Sequence, residues 1–117
     1  MPRPKKWQKQ NEEETIEFIT YQAVAEPDLR RKTKLLRQLN GVDFRVASVI
    51  LHFAEPDKYM IMDRRALWSL GWGHPSDSVG LLSRYMQRAR QLLSELHLPL
   101  RTIDKALWEY SDRYEPR

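Results

Sequence analysis

The chain has 117 residues and a formal charge of +4, with 41% apolar, 10% aromatic and 31% charged residues. That composition supports one packed core and excludes two ordinary domains, a disordered chain and a fibrous one. It contains no cysteine, which removes disulfides, iron-sulfur clusters, thiolate nucleophiles and cysteine-based zinc sites together.

No apolar run approaches the roughly 20 residues of a bilayer span, and no apolar segment follows the basic start, so a cytoplasmic protein without membrane contact is expected. Charge is segregated along the chain. Residues 1–10 carry four cations and no acids, residues 11–29 six acids and no cations, and residues 30–45 six cations against one acid. Positive charge gathered in this way points to an anionic partner, nucleic acid first, because counterions leave the phosphates on binding. A solvated helix face laced by i,i+4 pairs is the other reading of the same charges.

In chain order, residues 1–10 read as a basic, flexible arm and residues 11–117 as a single helical domain. Asn11 is placed to cap a first helix with an acidic opening turn and with Ile16, Ile19 and Ala23 on one face. Pro27 and Asp28 suit the first turn of a second helix, in which Leu29, Lys32, Leu35, Leu36 and Leu39 recur at three- and four-residue intervals beside a basic face. Asn40-Gly41 stops it, and a largely apolar helix follows from about Phe44 to Ala54. Tyr59-Met60-Ile61-Met62 reads as an extended or buried loop, and Asp63 as the cap of a short helix ending at Gly71. Ser76 or Ser78 starts the longest helix, which runs to about His97; Pro99 breaks it, and Thr102 caps the last. The expected fold is all-α, a compact bundle of about six helices.

The most specific pattern is Leu39-Asn40-Gly41-Val42-Asp43-Phe44-Arg45-Val46-Ala47, between an amphipathic basic helix and an apolar one. Glycine permits a tight reversal there, and the start of the next helix offers unpaired N–H groups to a phosphate. The stretch resembles the hairpin of the helix-hairpin-helix motif in the endonuclease-III-like DNA glycosylase superfamily, written L-P-G-V-G-x-x-x-A. The resemblance covers residues 39–71 and continues through Ile61-Met62-Asp63-Arg64-Arg65-Ala66-Leu67-Trp68-Ser69-Leu70-Gly71, similar to the superfamily's P-V-D-x-H-x-x-R-x-x-x-R-L-G stretch. Asp63 aligns with that aspartate, and Arg45 stands where bifunctional members place their nucleophilic lysine, eighteen positions earlier.

The resemblance implies DNA binding, a place in DNA repair, and phosphate contacts from Asn40, Gly41, Val42, Asp43 and Arg45. Lys34 and Arg37 flank them on the basic helix. It also implies that Asp63 is the residue to orient water and stabilise an oxocarbenium-like sugar, were the chain catalytic. Arg45 stays protonated and cannot form a Schiff base, so any glycosylase here is monofunctional. The second hairpin glycine is Asp43, an acid that either caps the following helix or faces an approaching phosphate. Asp63, equally, serves a helix cap or a site. About forty residues precede the hairpin, fewer than the helical block that walls the base pocket of full glycosylases, and this favours binding over catalysis.

Residues 100–111, with 47–53, are similar to short bacterial proteins of partial hairpin architecture, a likeness that supplies no activity. Asp104 and Trp108 are expected to pack near the Asp63 segment. His52, His74 and His97 lie over twenty residues apart without paired acids, so neither a metal site nor any cofactor is expected. Trp7 and Trp72 are the tryptophans best placed to stack on bases. The leading expectation is a DNA-binding helix-hairpin-helix protein that grips the phosphate backbone. The alternatives are a minimal monofunctional DNA glycosylase using Asp63, and a non-catalytic module for an acidic protein partner.

Overall fold

Six helices and no strand make up the regular structure of residues 11–117, the residues that the computed structural model describes. The arm expected over residues 1–10 lies outside them. The helices are α1 (Glu13–Ala25), α2 (Leu29–Leu36), α3 (Phe44–Ala54), α4 (Arg64–Ser69), α5 (Val79–Leu96) and α6 (Leu100–Tyr114).

Side-chain caps start four of them. Asp28 accepts from the Arg31 amide at 3.0 Å, Asp43 from Val46 at 2.9 Å, Asp63 from Ala66 at 2.8 Å and Ser78 from Leu81 at 3.0 Å. Each such bond satisfies a donor that the first helical turn otherwise leaves unpaired, worth about 1 kcal/mol. Two starts differ from expectation. Glu12 stands at the N-cap of α1 without a side-chain bond, because Asn11 reaches across the chain to Asn40 instead. Helix α6 begins at Leu100, directly after Pro99, whose φ of −56° already suits a helix entrance, so Thr102 lies inside the first turn.

Helix α2 stops regular hydrogen bonding at Leu36 and tightens into three-residue turns, Gln38 N–H to Leu35 and Leu39 N–H to Leu36, both at 3.1 Å. This short coil keeps Leu39 buried while turning the chain toward Gly41. Buried Leu36, Leu51, Leu67, Leu82, Tyr85 and Met86 fill the core from α2, α3, α4 and α5. Such a core is the main source of stability, since burying each large apolar side chain contributes about 1.5–3 kcal/mol before entropy is subtracted.

The 59–62 segment threads through that core as extended chain. Tyr59, Met60 and Met62 are buried, so its backbone groups need protein partners. The Tyr59 carbonyl meets His52 Nδ1 at 2.8 Å, the Ile61 carbonyl accepts from the Tyr85 hydroxyl at 2.6 Å, and the Met62 amide donates to Ser48 Oγ at 2.9 Å. Histidine 52 is thereby a structural residue. Burial also pushes the Tyr85 hydroxyl well above its ordinary pKa, which keeps it a donor.

One member of the basic cluster points inward. Lys32 is buried, and its Nζ donates to the carbonyls of Ala23 at 2.9 Å and Val24 at 3.0 Å and to Glu55 Oε1 at 2.9 Å. It closes the C-terminus of α1, where unpaired carbonyls attract a cation, and pins it to the end of α3.

Helix α5 ends on His97 at φ 54°, the only positive φ outside glycine among the described residues. Glycine takes that conformation without the Cβ clash. A His97→Gly variant is therefore expected to be more stable by about 0.5–1 kcal/mol in urea unfolding.

Candidate nucleic-acid interface and an acidic cavity

The reversal between α2 and α3 is held from outside as well as within. Gly41 sits at φ 82°, a conformation that disfavours any side chain. The Asn40 carbonyl accepts from Asn11 Nδ2 at 3.1 Å, and the Asn40 amide donates to Asn11 Oδ1 at 3.0 Å. Val42 is buried, with its amide bonded to the Leu39 carbonyl at 3.2 Å. Asp43 caps α3 through Oδ1, which resolves the sequence ambiguity: the carboxylate is turned onto its own helix. The amides of Phe44 and Arg45, in the first turn, have no carbonyl one turn back to pair with.

Beside this turn lies a groove of about 310 Å³ lined by Arg30, Thr33, Lys34, Arg37, Phe44 and Val79. Spacings of four and three bring Arg30, Lys34 and Arg37 to one face of α2 and its continuing coil. The Arg37 guanidinium lies 4.1 Å from the centre of the Phe44 ring, which orients it over the start of α3. Among the described residues no carboxylate lies within 4.0 Å of Arg30, Lys34 or Arg37. Most other described cations are paired: Lys32 with Glu55, Arg64 with Glu115, Arg65 with Asp112, Arg101 with Asp104, and Arg113 with Glu109.

Arg45 does not join the groove lining. Its Nε donates to Asp77 at 3.1 Å, tying the hairpin to the loop before α5. Both side chains remain about one-third exposed, and an ion pair in such a setting contributes little, so the guanidinium remains available to a phosphate.

Asp63 stands elsewhere in the fold. The Ser48 hydroxyl donates to the Arg45 carbonyl at 2.7 Å and accepts from the Met62 amide at 2.9 Å, so one side chain links the hairpin helix to the residue before Asp63. Asp63 Oδ1 is used as the cap of α4. The same carboxylate borders a cavity of about 420 Å³ lined by Arg101, Asp104, Lys105, Trp108 and Glu109 of α6. Cap and cavity residue are thus one and the same. The lining shares no residue with the basic groove.

Asp104 and Trp108 pack near the Asp63 segment as the sequence suggests, but they line a cavity instead of closing it. Asp104 has 7% side-chain exposure; its Oδ1 accepts from Arg101 at 2.8 Å, and its Oδ2 is buried with no hydrogen-bond partner. Burial pushes this carboxyl above its ordinary pKa; the charges of Arg101 and His52 pull it back, and that of Asp63 adds to the rise. A folded pKa above the unfolded one means that Asp104 opposes folding once pH exceeds its ordinary value of 3.8. Asp104→Asn is therefore expected to be more stable than the wild type at pH 7, with the difference shrinking toward pH 4 in urea unfolding curves. The sequence signal for this residue is an aspartate among the apolar positions Leu100, Ile103 and Leu107 at helical spacing.

Among the described residues no group of three or more histidine, aspartate or glutamate side chains could hold a metal ion, and no helix is long and apolar enough to cross a membrane. Trp72 packs edge-on against Tyr85, with the Arg84 guanidinium 6.0 Å from its ring; Trp7 lies outside the described residues. Comparison with protein family models, curated proteins and solved structures found no match.

Proposed function

We propose that this chain binds nucleic acid, DNA first, by gripping the phosphate backbone in the groove between α2 and the start of α3. The observation that carries the reading is the trio Arg30, Lys34 and Arg37, lining one groove without carboxylate partners among the described residues, whose other cations are mostly paired. The cations attract phosphate from a distance, and the unpaired amides of Phe44 and Arg45 supply short-range donors at the positive end of α3. Asp43 keeps its charge but is turned onto its own helix through Val46, and the three cations of the groove outweigh it. The donors named here are cationic side chains and helix-start amides suited to phosphate oxygens, so recognition is of backbone. Titrating two duplexes of unrelated sequence tests it: equal affinities are expected, and a strong preference for one would contradict a phosphate reading.

The cavity at Asp63 favours a second reading, a monofunctional glycosylase in which the Asp63 carboxylate orients water. Asparagine also caps helices, so Asp63→Asn should fold and bind DNA as the wild type does. It should lose base release if the second reading holds. Absence of release by the wild type on a panel of damaged bases would end that reading and leave the first intact.

A further inference from the structure

Helix α1 is apolar on two sides. Ile16, Ile19 and Ala23 pack into the domain, while Phe18, Tyr21 and Val24 recur at three-residue spacing on the opposite, outer face. Phe18 is 63% and Tyr21 76% exposed. Glu14 and Glu17 share that outer face nearer its N-terminus, and among the described residues no cation lies within 4.0 Å of either. One apolar stripe is enough to root a helix in a core. The second stripe is unused by the fold.

A surface of matching character lies on other helices. A groove of about 430 Å³ between α5 and α6 is lined by Leu70, Leu92, Leu96, Leu98, Leu107 and Tyr110, and Arg88 borders it. Arg84 stands one turn earlier on the same face of α5, with no carboxylate within 4.0 Å among the described residues. Arg88 is held only loosely, 3.9 Å from an exposed Glu95. Of the nine large apolar side chains that stay exposed among the described residues, six lie on these two surfaces: Phe18, Tyr21 and Val24 on α1, and Leu96, Leu98 and Tyr110 at the groove. Exposed apolar residues gathered in this way, instead of scattered singly, mark association surfaces.

The two surfaces also match in order. From its N-terminus, α1 presents acids and then apolar residues over about 15 Å, from Glu14 to Val24; α5 presents arginines and then leucines over about 18 Å, from Arg84 to Leu96. Both remain exposed in the folded chain, so only a second molecule brings them together.

We propose that the outer face of α1 in one copy of this chain seats in the α5–α6 groove of another, with Phe18, Tyr21 and Val24 filling the apolar end and Glu14 and Glu17 meeting Arg84 and Arg88. The contact joins two different patches head to tail. It uses none of the residues that line the basic groove and stands independently of DNA binding.

Sedimentation of the full chain over a concentration series reaching about 1 mM tests it, and the average mass should rise above that of the monomer. Phe18→Gln with Tyr21→Gln, and separately Leu96→Gln with Leu98→Gln, should each weaken association at least about tenfold. Thermal midpoints should stay near that of the wild type, because all four side chains are exposed. Mixing the two variants should restore a one-to-one pair, since the first keeps its groove and the second its α1 face. A contact between two copies of a single patch would not be rescued in this way. Glu14→Arg with Glu17→Arg, which keeps the apolar stripe, should weaken association at least about threefold through charge alone. A wild type that is monomeric at every concentration, folded variants that associate as the wild type does, or a mixture that stays monomeric would each overturn the proposal.

Discussion

A variant carrying Lys34→Glu and Arg37→Glu is expected to bind duplex DNA at least about 100-fold more weakly than the wild type at low salt. Each substitution removes a charge-assisted contact worth about 1.5–3 kcal/mol and installs repulsion in its place. Lys34 is exposed and carries no internal bond, so its reversal leaves the fold untouched. Arg37 also packs on Phe44, and its loss costs about 0.5–1 kcal/mol of stability, too little to unfold the domain. The matching control is Arg31→Glu on the same helix. Arg31 faces away from the groove, 77% exposed and 4.0 Å from Glu26, so affinity should fall only modestly, through net charge.

The largest stability effect is expected at Lys32, one residue along the same basic run. Lys32→Met keeps the length of the side chain but leaves the Ala23 and Val24 carbonyls without their donor and Glu55 without its buried partner. Lys58 still pairs with Glu55 at 3.1 Å, so the cost comes chiefly from the two undonated carbonyls, about 2–4 kcal/mol, a large share of the 5–15 kcal/mol that hold a typical domain. Urea unfolding should show this loss, whereas Arg31→Ala should stay within about 0.5 kcal/mol of wild type.

The pH dependence of this pair follows from Glu55. Burial raises its pKa, but hydrogen bonds and charge from Lys32 and Lys58 outweigh that and hold it below the ordinary value of 4.5. A lowered folded pKa means that the pair contributes fully above that value and that its contribution is lost as pH falls through the folded pKa. Stability of the wild type should therefore decline on acidification below pH 4.5, and that of Lys32→Met less so.

These two lysines show how far the sequence reaches. Both belong to one charge run, and only periodicity separates them: Lys32 lies on the stripe with Leu29, Leu36 and Leu39, Lys34 off it. That stripe predicts that Lys32 turns inward, but its partners, two carbonyls of α1 and an acid 23 residues away, depend on how α1 and α3 meet. The caps Asp63 and Ser78 were legible because capping is local chemistry; Asp43 was one of two readings, and Asp28, expected within the first turn of its helix, stands one step earlier as the cap. Asn11 was not, since its bond to Asn40 spans 29 residues and competed with an equally good local role.

The candidate sites divide in the same way. Lys34 and Arg37 are adjacent by helical spacing, and Arg30 extends their face by one further turn. The ion pair of Arg45 with Asp77, 32 residues on, has no local signature. The gathering of Asp63 and Asp104 around one cavity likewise comes from the packing of α4 against α6.

The central claim, that this chain grips phosphates, is tested most directly by the dependence of duplex affinity on salt. Plotted as log K against log salt concentration, the wild type should give a slope of about −2 to −3, as expected for phosphate contacts by Arg30, Lys34 and Arg37. The Lys34→Glu, Arg37→Glu variant should flatten that slope by about two. Binding that is absent, or that holds its strength unchanged across the salt range, would contradict the account.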